Sequence, residues 1–298
     1  MALGHDYQLI ILNLLKIPLK TVVYTSDKKT HFFQELKAIY QDTKSSNFLA
    51  YQMAKRDLQS QYRQSFLGFF WAFMPIIANS LVWIFLSSSG TVNVNADQSI
   101  PYIAFVVIGT TLWSIFNEAL FIPITSVNSA RALLSKINFP KEALLMSGIY
   151  KMIFNLSLKL ILIAGILIIY GINPGIGIIY FPAILLAITI FSLSLGLLFT
   201  PIGLIYTDIN KMVSTAVTFM MYITPVVYAV PKYGLFKKLF ELNPLTLLFN
   251  DARSSLSNME LENITFSLLL AFISFIVLLI GMVIFRKSMP IIIEKIGG

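Results

Sequence analysis

Three polar residues lie four apart inside an otherwise apolar run of the sequence. Lys151, Asn155 and Lys159 therefore share one face of a helix, because about four residues make one turn. A charge inside such a run is costly and usually faces a bundle interior, a cavity or a partner. Either a lysine forms a structural ion pair with Glu118, or Lys151 and Lys159 form a cationic track that offsets the phosphate charge of a lipid-linked substrate. Lys151 has a further interpretation, snorkelling to the membrane surface.

The composition argues against several other kinds of chemistry. The chain has no cysteine and two histidines, His5 and His31, so we expect no disulfide, no cysteine nucleophile and no metal site. It also lacks a glycine-rich loop ending in Gly-Lys-Ser/Thr, which would cradle nucleotide phosphates. We therefore expect no catalytic site and no cofactor in this chain. If transport is driven by ATP, another polypeptide binds it.

The elements that position these residues are apolar helices. The 298 residues are 57% hydrophobic and 12% charged, with a mean hydropathy of +0.78, which is far more apolar than a soluble domain. About 20 apolar residues cross a bilayer. The predicted spans are 69–86, 102–122, 146–170, 178–205, 212–230 and 264–285.

Basic residues crowd one side of these spans. Of the 22 lysines and arginines, 16 fall before the first span, in the loops after the second and fourth spans, or after the last. The positive-inside rule places both termini in the cytoplasm. We thus predict a cytoplasmic extension at 1–47, without a cleaved signal peptide, a six-span domain at 68–286 and a cytoplasmic tail at 287–298. The net charge of +8 suits anionic lipid headgroups, and no soluble basic domain is present for nucleic acid.

The segment 45–68 has the periodicity of an amphipathic helix. Apolar residues recur at three- and four-residue steps, with basic residues on other faces. Such a helix lies in the headgroup plane with its cations toward phosphates. We predict an interfacial helix at 48–67. It is either a plain anchor for the first span or an element that admits a lipid substrate or touches a partner.

Two other segments outside the spans are distinctive. The segment 129–141 is short, helix-capable and basic, and it suits docking into a cytoplasmic partner, although an ordinary solvated connector fits equally well. The segment 226–256 is too interrupted to span and too apolar for a free loop. We predict a re-entrant helical hairpin on the outer side, with a surface helix as the alternative. The predicted fold is thus an all-α integral membrane protein with six transmembrane helices.

Aromatic residues are frequent near the predicted span ends. Most belong to interfacial belts, but a minority on inward faces could stack on the C–H faces of sugar rings. The candidates for such a channel lining are Trp71, Phe219, Tyr222 and Tyr228.

Three motifs together resemble the membrane subunit of type 2 ABC exporters of polysaccharides and polyol phosphates. The first is RDLQSQYRQSFLGFFW at 56–71, which is similar to the family's basic helix entering span one. The second is KINFPKE at 136–142, which is similar to Lys-x-x-Phe-Pro-Arg-Glu after the family's coupling segment. The third combines Asp208, TPVVY at 224–228 and NPLT at 243–246 with Arg253. The resemblance covers 48–290; Thr207 and Leu145 depart from it where the family often has Arg and Pro.

The resemblance implies roles for particular residues. Two copies would form a twelve-span homodimer in the bacterial inner membrane, each binding one ATPase subunit that holds ATP and Mg²⁺. The substrate would be an undecaprenyl-diphosphate-linked glycan or polyol-phosphate polymer such as O-antigen, capsule or teichoic acid. Its diphosphate would meet Arg56 and Arg63, with Lys151 and Lys159 as further candidates. Coupling to the ATPase would involve Arg131, Lys136, Phe139, Pro140, Glu142 and Asp208. The outer gate would involve Pro225, Pro231, Asn243, Pro244 and Arg253.

Other functions fit part of the pattern. A type 2 ABC permease for small hydrophobic molecules shares the topology but needs no aromatic-lined, polymer-wide path. An integral-membrane glycosyltransferase or acyltransferase needs carboxylates or a histidine at a membrane surface, and both histidines lie outside the matched region. An ion-driven secondary transporter is a third alternative, although no two halves of the chain repeat.

Overall fold

The computed structural model describes residues 31–63, 65–90, 100–134, 139–230 and 234–297. Every regular element in these ranges is a helix, which confirms the all-α prediction. The α-helices are α1 Phe32–Ser45, α2 Asn47–Arg63, α3 Met74–Ser88, α4 Tyr102–Ser129, α5 Arg131–Leu134, α6 Glu142–Ile169, α7 Phe181–Ile205, α8 Thr207–Tyr222, α9 Leu235–Leu242, α10 Pro244–Leu256 and α11 Ile264–Gly297. Short 3₁₀ helices lie at Gly68–Ala72 and Gly175–Ile179.

Within the described ranges, four helices are long and apolar enough to cross a membrane. They are Tyr102–Ser129, Glu142–Ile169, Phe181–Ile205 and Ile264–Lys295, with 28, 28, 25 and 32 residues. A crossing needs about 20 residues. These helices coincide with the second, third, fourth and sixth predicted spans.

The first and fifth predicted spans contain shorter α-helices. Helix α3 has 15 residues and follows the 3₁₀ helix that starts at Gly68, whose φ is +48°. Helix α8 has 16 residues and ends two residues before Thr224. The proline at 225 disfavours helical backbone at the residue before it. The predicted ranges 69–86 and 212–230 are therefore each divided between an α-helix and other backbone, and six crossings remain a prediction.

Helix α7 lies at the centre of the bundle and packs against α4 and α11. Its close approach to α4 depends on Gly196, where a Cβ would overlap the carbonyl of Leu120. Small residues at such crossings let membrane helices pack tightly. In the apolar stretch of α4, 78% of the residues are buried, compared with 17% in α6. Helix α6 thus turns most of its apolar surface outward.

Apolar side chains form two separate clusters. Cluster one joins α4, α7 and α10 around Phe116, Ile188 and Phe249. Cluster two joins the other end of α4 to α6 and α11 around Val127 and Phe285. In the predicted topology, cluster two lies toward the cytoplasm because it includes the end of α4 that leads into the 129–141 segment.

The amphipathic segment forms helix α2, which ends at Arg63 rather than running to residue 67 as predicted. Helix α2 packs on α6. Part of the predicted extension at 1–47 forms helix α1, which joins α2 at Ser46, where the hydroxyl donates to the Asp42 carbonyl at 2.6 Å. Residues 1–30 of that extension lie outside the described residues.

The predicted hairpin contains helices α9 and α10. Asn243 separates them and caps α10, because its Oδ1 accepts a hydrogen bond from the Leu245 amide at 3.0 Å. Pro244 takes the first helical position, where no amide proton is needed. Helix α10 is largely buried. Its re-entrant position in a membrane remains a prediction.

Candidate functional site

A line of alternating charges connects α2 to the interior of the bundle. We call Asp57, Glu118, Lys151, Asn155 and Lys159 the polar ladder. Lys151 Nζ lies 3.0 Å from Asp57 Oδ2, and Lys159 Nζ lies 2.6 Å from Glu118 Oε2. Asn155 Nδ2 donates to Glu118 Oε1 at 2.5 Å. The predicted shared face of α6 is present, and each lysine on it faces a carboxylate.

The pair formed by Lys159 and Glu118 is the deepest part of the ladder. Lys159 is 5% exposed and also donates to the Ser114 carbonyl at 3.1 Å. This is the structural ion pair that one of the two interpretations predicted. A buried charge needs such pairing, because an isolated one costs several kcal/mol. Phosphate binding by Lys159 would require an exchange of partners with Glu118.

The outer part of the ladder is more accessible. Burial alone would raise the pKa of the Asp57 carboxyl, but hydrogen bonds from Arg56 and Lys151 outweigh it, so that pKa is lowered. Arg56 Nη2 lies 2.8 Å from Asp57 Oδ1, and the Arg56 side chain is 58% exposed. Arg63 is exposed at the end of α2. Both arginines can therefore approach an anion from the surrounding medium.

Aromatic rings fix the crossing of α2 on α6. The rings of Tyr62 and Phe154 are 6.4 Å apart, and Phe69 lies 4.6 and 5.7 Å from them. Near the start of α2, the Tyr150 hydroxyl donates to Asn47 Oδ1 at 2.5 Å. The Tyr62 hydroxyl and Asn155 Oδ1 are buried without a hydrogen-bond partner in the described part of the chain. Water or a ligand hydroxyl can satisfy them.

A second site surrounds the turn after α8. We call Pro225, Tyr228, Asn243, Pro244 and Arg253 the gate cluster. Asn243 Nδ2 donates to Thr224 Oγ1 at 2.8 Å and to the Ile223 carbonyl at 3.2 Å. The Tyr228 hydroxyl donates to the Tyr222 carbonyl. The structure thus brings four of the predicted gate residues together; Pro231 lies outside the described residues.

Arg253 is the centre of the gate cluster. It is 5% exposed and donates to the carbonyls of Pro225 at 2.5 Å and Val226 at 2.6 Å. Its guanidinium carbon lies 3.7 Å from the ring centroid of Phe105. Gly109 makes room for this arrangement, because a Cβ there would overlap both the Val226 carbonyl and Arg253. Arg253 therefore holds the turn after α8 against α4.

The predicted channel aromatics fall into two groups. Trp71, Phe219 and Tyr222 are 55%, 64% and 51% exposed. Tyr228 is half-buried, and its ring lies 6.3 Å from that of Trp83. The exposed group is available to a ligand or to a second subunit, whereas Tyr228 belongs to the packing around the gate cluster.

The predicted coupling segment 129–141 is partly described. Arg131 is exposed on α5, and Leu134 is buried in cluster two. Phe139 and Pro140 are half-buried, and Lys141 Nζ lies 5.0 Å from the Phe139 ring centroid. Lys136 lies outside the described residues. In its described part, the segment is anchored by apolar side chains, and Arg131 is exposed.

Two predicted coupling residues have contrasting surroundings. The Asp208 side chain is 87% exposed at the start of α8, 4.0 Å from Lys211 Nζ. Glu142 is 7% exposed and lies 2.5 Å from Arg286 Nη1. Asp208 is available to a partner, whereas Glu142 is engaged within the chain.

Sequence analysis missed Arg286. Besides Glu142, it contacts Asp42 at 2.7 Å and Glu35 at 3.3 Å, both on α1. These two carboxylates are seven residues apart and therefore lie on one helix face. This spacing was the one sign in the sequence that they could share a partner. Their partner lies about 250 residues further along, and no local pattern indicates it.

Comparisons with known proteins identify the family of this chain. The family described as ABC-2 type transporter matches residues 49–257. The O-antigen export system permease protein RfbA of Myxococcus xanthus is 31% identical over 179 residues, which are 59% of this chain and 66% of that protein. A protein of the same name from Klebsiella pneumoniae is 23% identical over 239 residues, which are 79% of this chain and 90% of that protein.

The family match includes the polar ladder and the gate cluster, and it leaves out α1 and α11. The match confirms the resemblance drawn from the three motifs. The four long apolar helices are consistent with a membrane subunit, as the names of the similar permeases indicate. The chain belongs to the ABC-2 type transporter family.

Proposed function

We propose that this chain is the membrane subunit of an ATP-driven exporter of an O-antigen-like glycan. The glycan is carried on undecaprenyl diphosphate from the cytoplasm to the outer face of the bacterial inner membrane. Two copies of the chain and two separate ATPase subunits, which bind ATP and Mg²⁺, form the exporter. The names of the similar permeases support this substrate class.

The proposed topology has six crossings and cytoplasmic termini. The 3₁₀ helix Gly68–Ala72 and α3, placed end to end, reach about 30 Å, and α8 reaches about 24 Å. These lengths are close to the roughly 30 Å of the hydrocarbon core. The distribution of basic residues supports the orientation.

The observation that carries the proposal is the exposed surface of α8. Only Val217 of its 16 residues is buried. Its exposed side chains include hydroxyl groups and aromatic rings, at Ser214, Thr215, Thr218, Phe219 and Tyr222. Hydroxyl groups can hydrogen-bond to sugars, and aromatic rings can stack on their C–H faces. Two copies of α8 facing each other would enclose a path with this lining.

The substrate enters beside the polar ladder. Arg56 and Arg63 are exposed on the interfacial helix α2, where they meet the lipid diphosphate. Lys151 joins this contact when Asp57 exchanges partners, while Lys159 stays with Glu118. The Tyr62 hydroxyl and Asn155 Oδ1, which have no hydrogen-bond partner in the described ranges, are available to the substrate on this route.

The two ends of the path have different tasks. At the cytoplasmic end, the segment 129–141 and the exposed Asp208 contact the ATPase and receive its closing motion. At the outer end, the gate cluster holds the turn after α8, and helices α9 and α10 close the path between polymer segments.

Exchanging aromatic residues on α8 tests the proposal. The complete exporter is reconstituted with its ATPase, and glycan export is measured for Phe219→Ala combined with Tyr222→Ala. Loss of stacking should lower export by about tenfold, since two aromatic contacts of about 0.5–1.5 kcal/mol each are lost and about 1.4 kcal/mol is a factor of ten in rate. The matched control is Phe272→Ala on α11, because Phe272 is 65% exposed and Phe219 is 64% exposed.

The control variant should export at the rate of the unmodified chain. Equal export by the α8 variant and the control would overturn the proposed path. Purification of an active chain without any ATPase subunit would overturn the exporter itself. Transport of small hydrophobic molecules without glycan export would indicate the other kind of type 2 permease.

A further inference from the structure

Arg286 lies between three carboxylates that come from two other helices. Glu35 and Asp42 belong to α1, and Glu142 is the first residue of α6. The side chains of Arg286, Glu35 and Glu142 are 19%, 14% and 9% exposed, and that of Asp42 is 36% exposed. We call these four residues the Arg286 cluster. A guanidinium carries five donors in a fixed plane, so one arginine can hold several carboxylates at once.

The cluster adjoins the proposed coupling segment. Glu142 follows the last residue of that segment directly, and it is held by Arg286 of α11. Apolar contacts join the same elements, because Leu134 and Phe139 of the segment belong to cluster two with Phe285 and Met289 of α11. An ionic and an apolar connection therefore link the coupling segment to α11.

Helix α1 adds a third element to this connection. Its residue Ile39 is 7% exposed, and the helix packs on both α6 and α11. Both of its carboxylates in the cluster are bound to Arg286. Without the guanidinium, three carboxylates would face one another, and their repulsion would separate α1 from the start of α6.

We propose that Arg286 is a positioning residue for energy coupling. It fixes the end of the coupling segment to α11 and α1, so that a displacement of the segment by the ATPase moves α1, α6 and α11 as one block. The inference rests on the proposed exporter function. It assigns a role in coupling to α1 and α11, which lie outside the family match.

The test measures ATP hydrolysis and glycan export together in the reconstituted complete exporter. Arg286→Met should keep ATP hydrolysis within about twofold and lower the export per ATP by about tenfold, in the usual range of coupling between sites. Lys287→Met is the matched control, because Lys287 is the exposed neighbour on the same helix and the same charge is lost. That control should keep the unmodified ratio of export to hydrolysis.

A chemical crosslink separates positioning from plain stability. The natural chain has no cysteine, so Glu142→Cys with Arg286→Cys places the only two thiols in this subunit. The pair should uncouple the exporter, and a short bifunctional thiol reagent should restore export per ATP by holding the two helices together. Glu35→Gln with Asp42→Asn should lower the ratio by about threefold, since Glu142 keeps its partner.

The outcomes distinguish this inference from the proposed function. If the unmodified chain fails to assemble with an ATPase, the exporter proposal is wrong. If the unmodified complex exports and Arg286→Met behaves like Lys287→Met, only the role of Arg286 is wrong. Failure of the crosslink to restore coupling in an assembled complex also overturns that role. If the complex with Arg286→Met does not assemble, the role of Arg286 is tested by the export per ATP of the crosslinked cysteine pair and of the α1 double variant.

Discussion

Two cations are buried among the described residues, and they are held in different ways. Lys159 and Arg253 are each 5% exposed. Lys159 faces the carboxylate of Glu118 at 2.6 Å. Arg253 donates to two backbone carbonyls and stacks on Phe105, and its described contacts include no carboxylate. One site is a pair of side chains, and the other is a side chain bound to the main chain.

This difference determines whether a second substitution can compensate for the loss of the buried cation. The pair of Lys159 and Glu118 can be removed whole, because a neutral apolar pair often replaces a buried ion pair without loss of stability. The Arg253 site cannot be removed whole, because the carbonyls of Pro225 and Val226 remain when the guanidinium is gone. The first site should therefore show rescue by a second substitution, and the second should show none.

The largest loss of stability is expected when only one partner of the pair of Lys159 and Glu118 is replaced. Glu118→Gln leaves Lys159 buried without its counter-charge, which should lower the free energy of unfolding by about 3–5 kcal/mol. Adding Lys159→Met should recover most of that loss. The measurement is thermal unfolding of the purified complex in detergent. A double variant as unstable as the single one would contradict the comparison.

The same double variant also tests the cationic track. If Lys159 only stabilises the bundle, the double variant should export glycan at the unmodified rate once its protein level is matched. A strong loss of export at equal stability would show that the lysine acts on the substrate.

A smaller loss is expected at the gate cluster. Arg253→Met leaves two buried carbonyls without donors, which should cost about 2–3 kcal/mol in the free energy of unfolding. Arg253→Lys should recover part of it, since an ammonium can donate to both carbonyls but does not stack as a plane. Lys238→Met on α9 is the exposed control, with an expected change within about 0.5 kcal/mol. Full rescue by any second substitution near Phe105 would contradict the distinction.

The smallest effect concerns the accessible end of the ladder. The pair of Lys151 and Asp57 is 20% and 23% exposed, and Asp57→Asn should cost less than about 1 kcal/mol at pH 7. Because the pKa of Asp57 is lowered by folding, its stabilisation is complete above the unfolded pKa of about 4 and disappears as the pH falls through the folded value. The difference in Tm between unmodified chain and variant should therefore shrink from pH 7 to pH 3. A constant difference would show that the carboxylate charge is not the cause.

The periodicity of the sequence predicted the features that form within a single helix. The shared face of Lys151, Asn155 and Lys159 follows from four-residue spacing, and the structure places all three against polar partners. The long apolar helices followed from length and hydropathy in the same way. These features are local, so the sequence contains them directly.

Features that depend on contacts between distant segments were harder to predict from the sequence. Asp57 reaches Lys151 only because α2 crosses α6, and nothing in either segment specifies that crossing. The partners of Arg253 are main-chain carbonyls, which every residue has, so sequence pattern alone cannot identify them. The motif resemblance grouped Arg253 with the predicted gate residues, and the structure shows which contacts hold it there.

The Arg286 cluster joins two carboxylates of α1 to an arginine about 250 residues further along the chain, so it forms only after α11 has been synthesised. Helix α1 is synthesised about 250 residues before Arg286. At translation rates of about 5–20 residues per second, the delay is roughly 10–50 s. During that interval Glu35 and Asp42 lack the arginine that they bind in the folded chain. Helix α11 therefore fixes a helix made much earlier, and the packing of α1 on the bundle is complete only after α11 has been inserted.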